Sequence, residues 1–76
     1  MNKYTEWFPP EIKPVRVGVY ETSLGRGWYL HGFSYWDGNM WSNQQLWPKA
    51  AYAERSSIDG AIQTKQWRGL ARSYGP

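Results

Sequence analysis

FSYWDGNMWSN, residues 33–43, wraps four aromatic rings (Phe33, Tyr35, Trp36, Trp41) around an Asp37-Gly38 pair. Asp-Gly is a leading signal for a tight two-residue hairpin turn. The stretch predicts a strand ending at Trp36, a turn, and a short return strand over 39–43 that offers Trp41 for a cross-strand aromatic contact. Rings on both flanks of such a turn fix the register of a small hairpin, so the first role of the stretch is structural.

Upstream, WYLHGFSYW (28–36) is long enough to be the outgoing strand. Alternation puts Trp28, Leu30 and Trp36 on one face and Tyr29, His31, Phe33 and Tyr35 on the other. A strand aromatic on both faces packs one of them on the core. The other needs cover from an arm, a helix or a partner. Gly32 marks a bulge or a place where another side chain crosses. Before it, Val15, Val17 and Val19 alternate with Arg16, Gly18 and Tyr20, a period-two β-branched pattern that predicts the first strand. SLGRG (23–27) links the two as a turn.

Residues 1–14 hold Pro9, Pro10 and Pro14, which remove backbone donors. They read as an extended arm packed on the domain, with Trp7 and Phe8 as its anchors. Beyond the hairpin, Pro48 suits the first turn of a short helix over 48–56, rich in alanine. Ser56 to Gly60 breaks it, and a last strand is expected around Thr64–Arg68, with Trp67 docked on the core and a frayed end after it. The fold expected is α+β and mostly β. It comprises a small three- to four-stranded antiparallel sheet with one short helix, in a single aromatic-cored domain over 15–76 preceded by the arm.

Composition supports a compact aromatic core. The chain has 76 residues, no cysteine and one histidine, but 6 Trp, 6 Tyr and 2 Phe. A domain this short buries a modest share of its surface, and large rings at roughly 150–250 Å² each can stand in for a larger aliphatic core. Without cysteine there is no disulfide and no thiolate chemistry, and one histidine rules out a histidine-rich metal centre. No run approaches the ~20 apolar residues of a membrane span, and MNKYTEWFPPEIK has no apolar signal-peptide core. The expected location is the cytoplasm, with no membrane partner. Through Asp59, basic and acidic residues balance, so the net charge of +3 resides on Lys65, Arg68 and Arg72. Such a basic segment reads as solvated, or as attractive to a polyanion.

Catalysis finds no foothold. No two carboxylates have a spacing that brings them together as acid and base. His31 with Ser34 or Ser42 is no triad signature, and Gly25-Arg26-Gly27 lacks the following helix of a phosphate loop. No cofactor or metal is expected. Binding is the remaining class. Trp, Tyr and Arg dominate interface hot spots, and six tryptophans exceed what one face of a three-stranded sheet hides. Trp7, Trp36, Trp47, Arg26 and Arg68 are the candidate contact residues, and the competing structural reading puts most of these rings in two small aromatic clusters on opposite sheet faces. A protein partner is favoured. Nucleic acid, stacked on exposed rings and drawn by the basic segment, is the second reading. A free sheet edge also offers a second copy of the chain a place to pair.

WFPPEIKPVRVGVYE (7–21), YWDGNMW (35–41) and QWRGLA (66–71) together resemble a pattern in small phage and prophage proteins. That pattern is a WFP…KPVR-GVYE opening, a WDG-x-x-W hairpin and a closing WRGL, and it spans most of the chain. The resemblance implies a phage-borne accessory protein acting inside a bacterium. Small phage proteins of this kind often bind and block a host protein, defence nucleases included. It transfers no activity and no functional residue.

Overall fold

The computed structural model of the chain describes residues 6–24 and 31–69. Three strands and one helix follow in the order β1 (Gly18–Ser23), β2 (His31–Trp36), α1 (Pro48–Ala53) and β3 (Gln66–Arg68). They form the expected small, mostly β architecture: a three-stranded antiparallel sheet in the order β2-β1-β3, with one short helix.

Register assigns the two faces. Opposed pairs Gly18–Trp36, Tyr20–Ser34, Thr22–Gly32 and Thr22–Trp67 share one face. Val19–Tyr35, Glu21–Phe33, Ser23–His31 and Glu21–Arg68 share the other. The first face carries the core, built from Trp36, Trp41 and Trp67 with Phe8 and Tyr20 packed against them. Trp36 and Trp41 lie 5.0 Å apart, Tyr20 meets Trp67 edge-on at 5.1 Å, and Phe8 stacks on Trp67 at 4.5 Å. Each buried indole contributes about 4–6 kcal/mol before ordering entropy is subtracted. Burial raises the Tyr20 hydroxyl pKa, against the opposing pull of Arg16, and that hydroxyl donates to the Arg16 carbonyl. The Trp41 indole N–H meets no oxygen or nitrogen acceptor, while the Tyr20 ring stands at 90° to its ring system, 6.0 Å away.

A polar seam closes the rest of that face. Gln44 crosses over Gly32, where a Cβ would come within 2.5 Å of its side chain. The Thr22 hydroxyl donates to Gln44 Oε1 at 2.8 Å, so its contact with Ser34 Oγ at 3.1 Å must use the serine proton. On the second face, the Tyr35 ring meets Tyr52 of α1, which places the helix there. Ala51, fully buried, is the helix residue that turns inward.

The sheet is lengthened at both edges. Phe8 pairs with Trp67 through two backbone hydrogen bonds of 2.7 and 3.1 Å, adding residues around Phe8 alongside β3. On the β2 side, Trp41 bridges Trp36, Ser42 N–H donates to the Tyr35 carbonyl, and Gln45 bridges Phe33. Between those bridges the return segment has one more residue than β2, the count of a β-bulge. Ser42 in turn bridges Ile58.

Several boundaries depart from the sequence reading. β1 begins at Gly18 rather than Val15, because its partner strand runs out: Trp36, opposite Gly18, is followed at once by the turn. Residues 15–17 therefore have no strand beside them. The turn is a four-residue loop, with Asp37 N–H donating to the Met40 carbonyl at 3.2 Å. Asp37 Oδ1 accepts from the Asn39 and Met40 amides, and Gly38 takes φ +99°. These side-chain bonds favour the wider loop over a two-residue turn. The return over 39–43 is the bulged segment, not a regular strand, and the third strand of the sheet is β3, on the far side of β1. The helix stops at Ala53, five of its six residues spanning PKAAY, and β3 starts at Gln66. Trp28, Tyr29, Leu30 and most of the 23–27 turn lie outside the described residues.

Candidate functional site

The five expected contact residues do not form one patch. Trp36 is 4 % exposed and belongs to the core. It ends β2 on the face that Trp41 covers, so its ring serves the fold, and its place among the contact residues is corrected. Arg26 lies outside the described residues. Trp7 and Arg68 come together, and Trp47 stands elsewhere.

Trp7 and Arg68 sit at the β3 edge of the second face. The Phe8–Trp67 pairing sets Trp7 across from Arg68, whose guanidinium carbon lies 4.8 Å from the indole centroid. Arg68 Nε donates to Glu21 Oε1 at 2.9 Å. His31 Nδ1 is 3.9 Å from Glu21 Oε2, and its ring is 4.9 Å from Trp7. Cross-strand pairing explains the grouping: Glu21 opposes Arg68, and His31 opposes Ser23, two places along β1 from Glu21. Trp7 thus covers an internally paired charge cluster and is itself half-buried.

Trp47 is different. It is 68 % exposed, and Leu46 before it is 75 % exposed. Trp47 occupies the N-cap of α1 in extended conformation, with no side-chain hydrogen bond to the helix. That position normally goes to Ser, Thr, Asp or Asn, whose oxygen accepts a free backbone amide. Leu46, at the preceding position, would staple the helix by packing on Ala51. Ala51 is fully buried while Leu46 projects into solvent. Neither side chain therefore does the structural work its position allows. Further round the helix, Tyr52 is exposed and carries Arg55 stacked over its ring at 4.2 Å.

Leu46, Tyr52 and Arg55 are absent from the sequence-based contact set. A tryptophan directly ahead of Pro48, at the cap position where Ser, Thr, Asp or Asn is usual, was the available signal.

The basic segment is largely consumed inside the protein. Lys65 is fully buried with Nζ 2.6 Å from Asp59 Oδ2, and also donates to the Ile62 carbonyl at 2.8 Å. Arg68 pairs with Glu21. Of the three cations behind the net charge, Arg72 lies outside the described residues. Among the described residues no group of three or more His, Asp or Glu side chains is arranged to hold a metal ion. No helix among them is long and apolar enough to cross a membrane. No family model matches the chain, and neither does any curated protein or solved structure.

Proposed function

We propose that this chain is a small non-enzymatic binding module that engages another protein through Leu46 and Trp47. The observation that carries the reading is the placing of two large apolar side chains at a helix entry where neither caps, staples nor fills the core. An exposed tryptophan is the side chain most often found at the energetic centre of a protein interface. Trp7 with Arg68 forms a second, more internal pair near the β3 edge. The resemblance to small phage proteins points to a host protein as the partner, bound and blocked in the bacterial cytoplasm.

Charge favours a protein partner over nucleic acid. Sustained binding to a phosphate backbone takes several free cations. Here Lys65 and Arg68 are engaged by Asp59 and Glu21, and Arg55 is stacked on Tyr52 while donating to its carbonyl.

The test is affinity capture from nuclease-treated bacterial lysate with the wild-type chain and with Trp47→Ser, read by mass spectrometry. The expected result is a host protein held by the wild type, retained after nuclease, and lost by the variant. Equal capture by both, or material that disappears with nuclease or raised salt, would overturn the reading.

A further inference from the structure

The chain holds two Asp-Gly pairs, Asp37-Gly38 and Asp59-Gly60. Such a pair is open to ring closure, because glycine has no side chain to shield its amide nitrogen from the preceding carboxyl. The two carboxylates start alike. Asp37 Oδ1 accepts the Asn39 and Met40 amides, and Asp59 Oδ1 accepts those of Ala61 and Ile62. Beyond that they differ. Lys65 Nζ donates to Asp59 Oδ2 at 2.6 Å, the Asp59 N–H donates to the Trp41 carbonyl at 3.0 Å, and Gln63 Nε2 donates to the Asp59 carbonyl at 2.7 Å. Asp59 is 8 % exposed, and turning its peptide bond to Gly60 toward its own carboxyl would break the Gln63 bond. Asp37 and Gly38 are exposed at the tip of the hairpin. Among the described residues, the Asp37 carbonyl, Asp37 Oδ2 and the Gly38 N–H make no hydrogen bond. The Asp37-Gly38 peptide unit can therefore rotate without losing a partner.

We propose that Asp37 is a modification site, converting spontaneously to isoaspartate in the folded protein, and that Asp59 is protected. From the protonated carboxyl, the Gly38 nitrogen bonds to Asp37 Cγ and gives up its proton, while Oδ2 leaves as water. The product is a cyclic imide, lighter than the chain by that water. Water then adds to the imide carbonyl of the original main chain and breaks its bond to nitrogen. The mass is restored and the chain now runs through Cγ. Water is the only co-reactant. During the attack, charge develops on Oδ1, where the Asn39 and Met40 amides already point at 2.8 and 2.7 Å. At Asp59, burial favours the neutral acid, but Lys65 and the Ile62 and Ala61 amides outweigh it and keep the carboxyl ionised, the form that resists attack. Isomerisation at Asp37 adds a main-chain methylene between Trp36 and Trp41 and draws the carboxylate off the Asn39 and Met40 amides.

The test ages the wild-type chain at neutral pH, once folded and once in guanidinium chloride, and digests both samples with trypsin. Cleavage after Lys and Arg puts Asp37 in the peptide Gly27–Lys49 and Asp59 in the peptide Ser56–Lys65. Chromatography separates each isoaspartyl peptide from its aspartyl form, and electron-transfer fragmentation identifies it. Each peptide's rate in the folded chain is taken relative to its own rate in guanidinium, which removes the intrinsic difference between the two sequences. Asp59 reacts only after local opening of its loop, so its relative rate is expected to fall at least about fivefold below that of Asp37. Equal relative rates at the two sites, or a higher one at Asp59, would overturn the proposal. So would the absence of isoaspartate at Asp37 in the folded chain, since the Asn39 and Met40 bonds would then lock the carboxyl instead of activating it.

Discussion

The Lys65 ammonium lies 2.6 Å from the Asp59 carboxylate with no part of the lysine side chain exposed. Asp59 also accepts the Ala61 and Ile62 amides on its other oxygen, so one carboxylate ties a loop and a buried cation to the same point. The two residues are therefore unequal. Asp59→Ala leaves a buried charge unpaired and frees two amides, a loss of about 3–5 kcal/mol. Lys65→Met removes the charge and keeps the buried stem, and Asp59 retains both amides. Urea unfolding is expected to rank Asp59→Ala clearly below Lys65→Met.

The same pair sets a pH dependence. Burial raises the Asp59 pKa, but the Lys65 ammonium and the Ile62 and Ala61 amides outweigh it and hold the carboxyl below its ordinary value. The unfolded chain, with an aspartate near pKa 3.9, binds the proton more readily than the folded one. Stability from this group is therefore complete above about pH 4 and falls as pH drops through the lower folded value. Thermal melts between pH 6 and pH 2 should show this loss at the acid end, and Asp59→Asn should flatten it.

Gly32 is fixed by Gln44, not by backbone conformation. A Cβ there would stand 2.7 Å from the Gln45 backbone carbonyl as well as 2.5 Å from the Gln44 side chain. The carbonyl belongs to the Phe33–Gln45 bridge and cannot step aside freely. Gly32→Ala is expected to cost about 1–3 kcal/mol. Gly60, with open space around its Cβ direction, serves as the control and should tolerate alanine.

The tryptophans divide by position. Trp41→Ala or Trp67→Ala opens the centre of the core and should cost about 3–5 kcal/mol, enough to unfold a marginal domain of this size. Trp67→Ala also orphans the Ile12 carbonyl and removes the stack with Phe8.

Much of this was legible from the chain itself. The alternation of faces along β2, the proline-led helix and the docking of Trp67 all rest on local pattern, and the structure contains each of them; the hairpin around Asp37 is present with a wider loop and a bulged return in place of the two-residue turn and regular strand. What local pattern could not supply was pairing. The valines at 15 and 17 look like strand, but a strand needs a neighbour, and the turn at Asp37 removes it. Trp36 and Trp47 are equally apolar in sequence. Only the Trp36–Trp41 bridge makes one of them interior, and only the missing cap at α1 marks the other as surplus. Likewise the basic segment looked free until Asp59 and Glu21, distant or weakly signalled in sequence, came to Lys65 and Arg68.

A binding role for Trp47 requires that its side chain contribute nothing to the fold, and the urea unfolding midpoint of Trp47→Ser tests this most directly. A serine at this N-cap can accept a free helix amide, so the variant should equal the wild type or exceed it by about 1 kcal/mol. A loss of more than about 2 kcal/mol, the scale of a core substitution, would show that Trp47 holds the structure together and would remove the ground for a binding surface there.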